Sequence, residues 1–162
     1  MPEVYVPLSA EGFEFCHPKH QEDFETLNVA IDGTPRGSAW RSPAMRLIRE
    51  DEGKQLAESD SPWLGPNALI FRRQALGELE ALLLSHGELL QIACSEADLV
   101  IFNATRMLDA LDEQASGILR FSSGRIMRIT RHVFRPDIIA GVDIFKIPNL
   151  RVSPTYVSER FV

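Results

Sequence analysis

The sequence has little cysteine and no long apolar run, and each shortage excludes a class of protein. The two cysteines, Cys16 and Cys94, are 78 positions apart, which suits neither a disulfide framework nor a zinc-binding domain. No apolar stretch approaches the roughly 18–20 residues that a membrane helix needs, and the first residues do not resemble a signal peptide. We therefore expect reduced cysteines, no membrane association and a cytoplasmic location.

The sequence also lacks the common motifs of catalysis and phosphate binding. It contains no GxSxG, no GxGxxG and no GxxxxGK(S/T). A thiol and two imidazoles lie close together in Cys16-His17-Pro18-Lys19-His20, but no second pair of ligands completes a zinc site, and Pro18 opposes a helix. We expect no enzymatic activity, no metal and no cofactor. A small metal-dependent enzyme at Cys16, His17 and His20 remains a rival hypothesis.

What the sequence does contain is enough apolar material for one folded domain covering residues 1–162. Its 44% hydrophobic content excludes a disordered chain, and a chain of this length buries roughly 68–70% of its unfolded surface. The alternation of apolar residues and the turn residues predict an α+β fold, a mainly antiparallel sheet with a few short helices packed on it. Predicted strands cover 3–8, 24–32, 67–71, 88–94, 98–103, 118–121, 125–134 and 142–148. Predicted helices cover 72–87, about 105–117, and a last segment beginning near 157.

The net charge of −6 is unevenly distributed along the chain. Residues 1–116 carry 9 basic and 20 acidic side chains, a net −11, whereas residues 117–162 carry 8 basic and 3 acidic, a net +5. An acidic surface attracts basic partners and repels nucleic acid. The alternative is that both blocks only keep the domain soluble and pair with each other.

The two charge blocks come closest between residues 106 and 136. Asp109, Asp112 and Glu113 precede a ladder of basic side chains that lies in the predicted hairpin: Arg120, Arg125, Arg128, Arg131 and Arg135. If residues 105–117 form a helix, Asp109 and Glu113 share one of its faces. The arginines could contact phosphates, but aromatic residues do not interleave with them as stacking platforms would.

Six blocks in a fixed order resemble a known family: SDSPWLG, LLSHGELLQIAC, LVIFNATRMLDALDEQAS, ILRFSSGRIMRITRHVF, IFKIPNL and SPTYVSERFV. The series resembles the eleventh numbered family of immunity proteins from bacterial polymorphic toxin systems. The resemblance spans residues 59–162, and its most specific parts are NxTRxxDALDExxS at 103–116 and the later HVF and IFKIP blocks; residues 1–58 match more loosely. Family members continue beyond the SxxFV segment, so we expect this C-terminus to be shortened relative to them.

The resemblance implies a non-enzymatic inhibitor in interbacterial competition. Such a protein binds a cognate toxin domain encoded by a neighbouring gene and protects the producing cell. An acidic inhibitor suits a nuclease-type toxin, whose substrate site must be positive.

These observations predict a toxin-binding surface made of acidic side chains and one aromatic. Its candidate residues are Asp51, Glu52, Glu58, Asp60, Trp63, Asp109, Asp112 and Glu113. The acids could equally be solvated and unrelated to binding, and Trp63 could be a core residue rather than an exposed anchor. The alternative function is a nucleic-acid-binding regulator that uses the basic hairpin at 117–135.

Overall fold

The computed structural model describes residues 2–162 and shows an α+β fold in which all strand pairs are antiparallel. This confirms the predicted fold class. The strands are β1 (Val4–Tyr5), β2 (Phe15–Pro18), β3 (Met45–Ile48), β4 (Glu50–Asp51), β5 (Lys54–Gln55), β6 (Leu69–Arg72), β7 (Gly87–Gln91), β8 (Leu99–Ala104), β9 (Gly117–Arg120), β10 (Ile126–Arg131), β11 (Ile144–Phe145) and β12 (Tyr156–Ser158). The α-helices are α1 (Asp23–Ala30), α2 (Leu79–Leu84) and α3 (Pro136–Ile139). Among residues 2–162, no helix combines the length and apolar character that crossing a membrane requires.

The sheet β6–β8–β7 separates two hydrophobic cores. Successive side chains of a strand point to opposite faces, and β8 is buried along its whole length. Leu99 and Ile101 therefore pack into the first core, whereas Val100 and Phe102 pack into the second. An apolar run without alternation fits a strand that is covered on both faces.

A second sheet, β1–β12–β11, joins the two ends of the described chain. Val4 pairs with Ser158, and Ile144 pairs with Val157. Phe145 and Tyr156 on this sheet form a third core, and their rings stack with centroids 5.4 Å apart.

Contacts between distant segments connect this third core to the first two. The buried Lys146 side chain donates from Nζ to the carbonyl oxygen of Ile31 at 2.6 Å. The backbone N–H of Thr155 donates to the carbonyl oxygen of Pro66 at 2.7 Å. These contacts hold residue 146 against residue 31 and residue 155 against residue 66.

The predicted strand at 24–32 is wrong, because this segment forms α1. Leu27 and Ile31 are both buried in the first core. Residues four apart lie on the same face of a helix, so the helical form buries both at once. Asp23 and Glu25 lie in the first turn, where negative side chains stabilise a helix.

The predicted helix at 105–117 is also wrong, since the segment 105–116 contains no α-helix. Its backbone forms hydrogen bonds with two neighbouring segments instead. The N–H of Leu108 donates to Lys146 O at 2.9 Å, and the N–H of Asp112 donates to Val133 O at 2.8 Å. Tertiary pairing has overridden the local helical pattern, so Asp109 and Glu113 do not share a helix face.

The predicted helix at 72–87 is only partly correct, because it is reduced to a 3₁₀ turn at Arg73–Ala75 and to α2. Gly77, whose φ is +50°, lies between them. Gly87 opens β7 rather than capping the helix. A Cβ atom at Gly87 would lie 2.2 Å from the backbone oxygen of Asn103, so the close pairing of β7 with β8 requires glycine there.

The remaining predictions concern the C-terminal segment, the basic hairpin and the two strands that precede it. The helix expected from residue 157 is wrong, since β12 occupies Tyr156–Ser158 and pairs on both sides. The hairpin of β9 and β10 is confirmed, with Gly124 at φ +90° in its turn. The strands predicted at 88–94 and 98–103 are confirmed as β7 and β8.

Candidate protein-interaction surfaces

The residues predicted to bind a partner fall into two separate groups. One group lies on the hairpin β4–β5 and the segment after it: Asp51, Glu52, Glu58, Asp60 and Trp63. The other group lies on the irregular segment between β8 and β9: Asp109, Asp112 and Glu113. Within residues 2–162, no hydrogen bond or ion pair joins the two groups. They belong to two different segments of the chain.

Arginines of the chain itself already contact the acids of the second group. Arg135 reaches Asp109 Oδ1 at 3.6 Å from Nη1, and Arg120 Nη2 donates to Glu113 Oε1 at 2.9 Å. Asp112 Oδ1 accepts from the backbone N–H of Ala115 at 3.1 Å. The prediction that the two charge blocks pair with each other is confirmed for Asp109 and Glu113.

Other arginines of the ladder also contact residues of the same chain. Arg131 Nη2 donates to the carbonyl oxygen of Ala115 at 2.6 Å. Arg125 lies over the ring of Phe121, with its guanidinium carbon 4.9 Å from the ring centroid. Arg128 makes no ion pair with any residue in 2–162. A phosphate group would therefore compete with a carboxylate at two of the five arginines, Arg120 and Arg135.

The hairpin β4–β5 has a different electrostatic character, because its acids project into water. Glu50, Asp51 and Glu52 are exposed, as is Asp60, and none of these four forms an ion pair with any residue in 2–162. Glu52 has a φ of +50°, a left-handed conformation that favours glycine or asparagine. The hairpin thus presents three consecutive carboxylates, and only Asp51 has a basic residue, Lys54, opposite it in the strand pair, without an ion pair between them.

A buried charge cluster lies behind this hairpin. Glu14, which is 1% exposed, accepts from Arg72 Nη2 at 2.5 Å, from Arg49 Nε at 3.2 Å and from the N–H of Ser59 at 3.0 Å. Burial alone would raise the pKa of Glu14, but these hydrogen bonds and the guanidinium charges outweigh burial and lower it. Glu58 approaches Arg72 at 3.5 Å from the solvent side. The cluster fixes the start of the segment that carries Asp60 and Trp63.

Trp63 borders an open groove of about 310 Å³. Its backbone is fixed on β2, since its carbonyl accepts from Cys16 N–H at 3.0 Å and its N–H donates to Glu14 O at 3.3 Å. The Trp63 side chain is half-buried against the second core. The core interpretation of Trp63 is confirmed in part, because it packs on the second core, and it also lines a surface groove.

Sequence reasoning missed the other apolar residues of this groove. They include Leu8, which is 81% exposed, Phe13, which is 42% exposed, and Phe161. Nothing in the sequence distinguishes an exposed Leu8 from a buried leucine, and Phe161 reaches the groove only through the long-range pairing of β12. The groove is a product of tertiary structure.

The structure separates the residues of the rival metal site. Cys16 and His17 are neighbours in β2 and so point to opposite faces. His17 packs between Phe15 and Phe24, with centroid distances of 5.7 and 5.3 Å. Burial raises the pKa of the Cys16 thiol to about 12. Within residues 2–162, no three histidine, cysteine or acidic side chains converge as metal ligands would.

Comparison with known families links part of this structure to a function. Residues 95–162, which are 68 of the 162, match the model of an immunity protein family, Imm11. The match confirms the resemblance over the second acidic group, the basic hairpin, β11 and β12. It does not extend to residues 59–94, which the resemblance also included. Searches of curated proteins and of solved structures found no significant match.

Proposed function

Since residues 95–162 match an immunity protein family, we propose that this chain binds a cognate antibacterial toxin in the cytoplasm and neutralises it. Inhibition is stoichiometric and non-covalent, and it requires no catalysis by this chain. The toxin domain is encoded by a neighbouring gene, so inhibitor and toxin are made together. The family match is the observation that carries this proposal.

We further propose that the toxin is a nuclease-type effector. The supporting observation is the net charge of −11 on residues 1–116, together with the unpaired acids of the hairpin β4–β5. A nuclease must hold a polyanion and therefore carries a positive substrate site. An acidic inhibitor is attracted to that site over long range, which raises the association rate.

The eight predicted residues are proposed to face the toxin, and the structure suggests an order of importance among them. Asp51, Glu52 and Asp60 form no ion pair within residues 2–162, although Lys54 lies opposite Asp51, so their charges are more available for steering than those of paired acids. Asp109 and Glu113 must exchange Arg135 and Arg120 for toxin side chains, which lowers the net gain. We therefore propose that the group around Trp63 contributes more to association than the second group.

Two matched double variants test this order. Asp51→Asn with Asp60→Asn removes two negative charges from the first group, and Asp109→Asn with Glu113→Gln removes two from the second. We expect the first pair to slow association about tenfold at low salt and to reduce its salt dependence, and the second pair to slow it less. Equal slowing by both pairs would show that only net charge matters.

The alternative function, nucleic-acid binding through 117–135, rests on the five arginines of that segment. Their internal contacts argue against it, since Arg120 and Arg135 are paired with Glu113 and Asp109. A gel shift with duplex and single-stranded probes at low salt decides the question. Binding that weakens steeply as salt rises would favour the alternative.

Co-expression with the neighbouring toxin domain is the direct test of the proposal. We expect cells to survive when this chain is present and the two proteins to purify as a complex. An unrelated acidic protein of similar size, expressed in place of this chain, is the control and should not rescue growth. Cell death with no complex would contradict the proposed function.

A further inference from the structure

We infer that the groove beside Trp63 receives a large apolar side chain from a positively charged segment of the partner protein. This inference rests on the proposed function, because it takes the toxin as the partner. It adds a specific anchoring point and the chemistry of the segment that fills it. None of the predicted acidic residues supplies such an anchor.

The groove has the size and lining of an anchoring pocket. Its volume is about 310 Å³, whereas a cavity of roughly 150 Å³ already accepts a benzene ring. Leu8, Phe13, Trp63 and Phe161 supply apolar walls. Large aromatic anchors in such pockets are typical of the residues that dominate binding at protein interfaces.

The polar groups beside the groove are already satisfied by the protein. Ser61 Oγ donates to the carbonyl oxygen of Ile70 at 2.5 Å, and Ser59 Oγ accepts from the N–H of Ser61 at 3.1 Å. Glu14 is held by Arg72, Arg49 and Ser59. An apolar side chain can therefore enter without leaving any of these groups unpaired, which would otherwise oppose binding.

Leu8 is the clearest sign that the groove is incomplete without an occupant. With 81% of its surface exposed, it is the most exposed large apolar residue in 2–162. Phe13, on the same groove, is also exposed. Burial of this surface favours association by the same effect that drives folding.

Charge identifies the occupant as a basic protein segment. Glu58 and Asp60 flank Ser59, which lines the groove, without lining it themselves. The side chain of Glu58 is 73% exposed and lies 3.5 Å from Arg72, whereas Asp60 is exposed and forms no ion pair with any residue in 2–162. Lysine or arginine beside the inserted apolar side chain would meet these carboxylates. A second copy of this chain could offer only its residues 117–162, which carry a net +5 against a net −11 on residues 1–116, so a basic segment of a basic partner is attracted more strongly. A small apolar molecule would gain nothing from the carboxylates of Glu58 and Asp60.

Leu8→Ala is the principal test, because so exposed a residue can be changed without disturbing the fold. The purified chain is mixed with its purified toxin domain, and association and dissociation are followed separately. We expect Leu8→Ala to accelerate dissociation about tenfold with little change in association, as apolar anchors act mainly on the dissociation rate. Glu58→Gln with Asp60→Asn should instead slow association and weaken its salt dependence.

Leu84→Ala is the matched control, since Leu84 is 53% exposed on α2 and does not line the groove. Unchanged kinetics are expected for this variant. If Leu8→Ala behaves like Leu84→Ala while the unaltered chain binds toxin, the groove is not the anchor, although the proposed function stands. If the unaltered chain binds no toxin, the proposed function fails and the groove proposal fails with it. A dimer of the chain alone that Leu8→Ala disperses would identify a second copy as the occupant and overturn the inference.

Discussion

At the scale of single residues, the most constrained charge in the protein is the carboxylate of Glu14. Its side chain is fully buried, and it is held by two guanidinium groups and a backbone N–H. A buried ion pair stabilises a fold little more than a well-packed apolar pair would. The loss of one partner is costly, however, because the other charge is then buried and uncompensated. The segment that carries Glu58, Asp60 and Trp63 begins at this point, so Glu14 links stability to the candidate site.

Glu14→Gln should lower the free energy of unfolding by about 3 kcal/mol at pH 7, because it leaves Arg72 without its buried counter-charge. The pKa of Glu14 is lowered from its ordinary value of 4.5 in the folded state. Its stabilisation is therefore complete above pH 4.5 and is lost as the pH falls through the lower, folded-state pKa. Urea unfolding at several pH values measures both effects.

The difference between Glu14→Gln and the unaltered protein should shrink as the pH falls below 4.5. Glu58→Gln is the control, since Glu58 touches the same Arg72 from solvent. An exposed partner of this kind contributes roughly 0–1 kcal/mol. A difference between Glu14→Gln and the unaltered protein that did not vary with pH would indicate a packing effect rather than the loss of a charge.

At the scale of elements, the correct predictions were the strands and the turn that depend on neighbouring residues in the sequence. The hairpin of β9 and β10 follows from its turn, and β7 and β8 follow from their apolar runs. The segment 105–116 could not be predicted, because its conformation depends on hydrogen bonds to residues 133 and 146. The sequence of β12 predicts a helix when it is considered alone. The segment forms a strand because it pairs with β1 on one side and with β11 on the other.

The candidate site shows the same division between local and long-range information. The exposure of Asp51 and Glu52 was predictable from a polar stretch with a turn glycine. The pairing of Asp109 with Arg135 was expected only in general terms, since the two residues meet through the bridge between Leu111 and Phe134. The groove beside Trp63 joins residues 8, 13, 63 and 161, and no sequence pattern relates positions so far apart.

The hairpin β4–β5 allows stability and binding to be tested in one variant. Glu52→Asn should raise the free energy of unfolding by roughly 0.5–1 kcal/mol. The reason is that asparagine adopts a left-handed backbone conformation, such as that of residue 52, at a lower energetic cost than glutamate does. The same change removes a carboxylate from the proposed interface. We therefore expect a more stable protein that associates with toxin more slowly.

Glu50→Asn is the matched control for Glu52→Asn. Glu50 is exposed in β4 and carries the same charge, but its backbone φ is not positive. It should lose association rate without gaining stability. If both variants had the same unfolding free energy, the positive φ of Glu52 would not be a source of strain.

At the scale of the whole molecule, long-range contacts predict that residues 2–162 unfold as one unit. Strand β1 pairs with β12, Lys146 binds the carbonyl of Ile31, and Thr155 binds that of Pro66. We expect one urea transition in which tryptophan fluorescence and far-UV circular dichroism coincide. Trp40 and Trp63 report on the first part of the chain, whereas circular dichroism reports on all of it. Two separated transitions would contradict the expectation of a single domain.

The position of β12 sets the order in which the protein can fold as it is synthesised. It is the last strand within residues 2–162, yet it is the middle strand of its sheet, between β1 and β11. A growing polypeptide can assemble β6–β8–β7 early. Strands β1 and β11 pair only with β12, so their sheet cannot form until residues 156–158 have left the ribosome. At about 5–20 residues per second, the 84 residues that separate the end of β6 from the start of β12 take roughly 4–17 seconds to synthesise, so the sheet β1–β12–β11 is completed seconds after the strands of β6–β8–β7 begin to emerge.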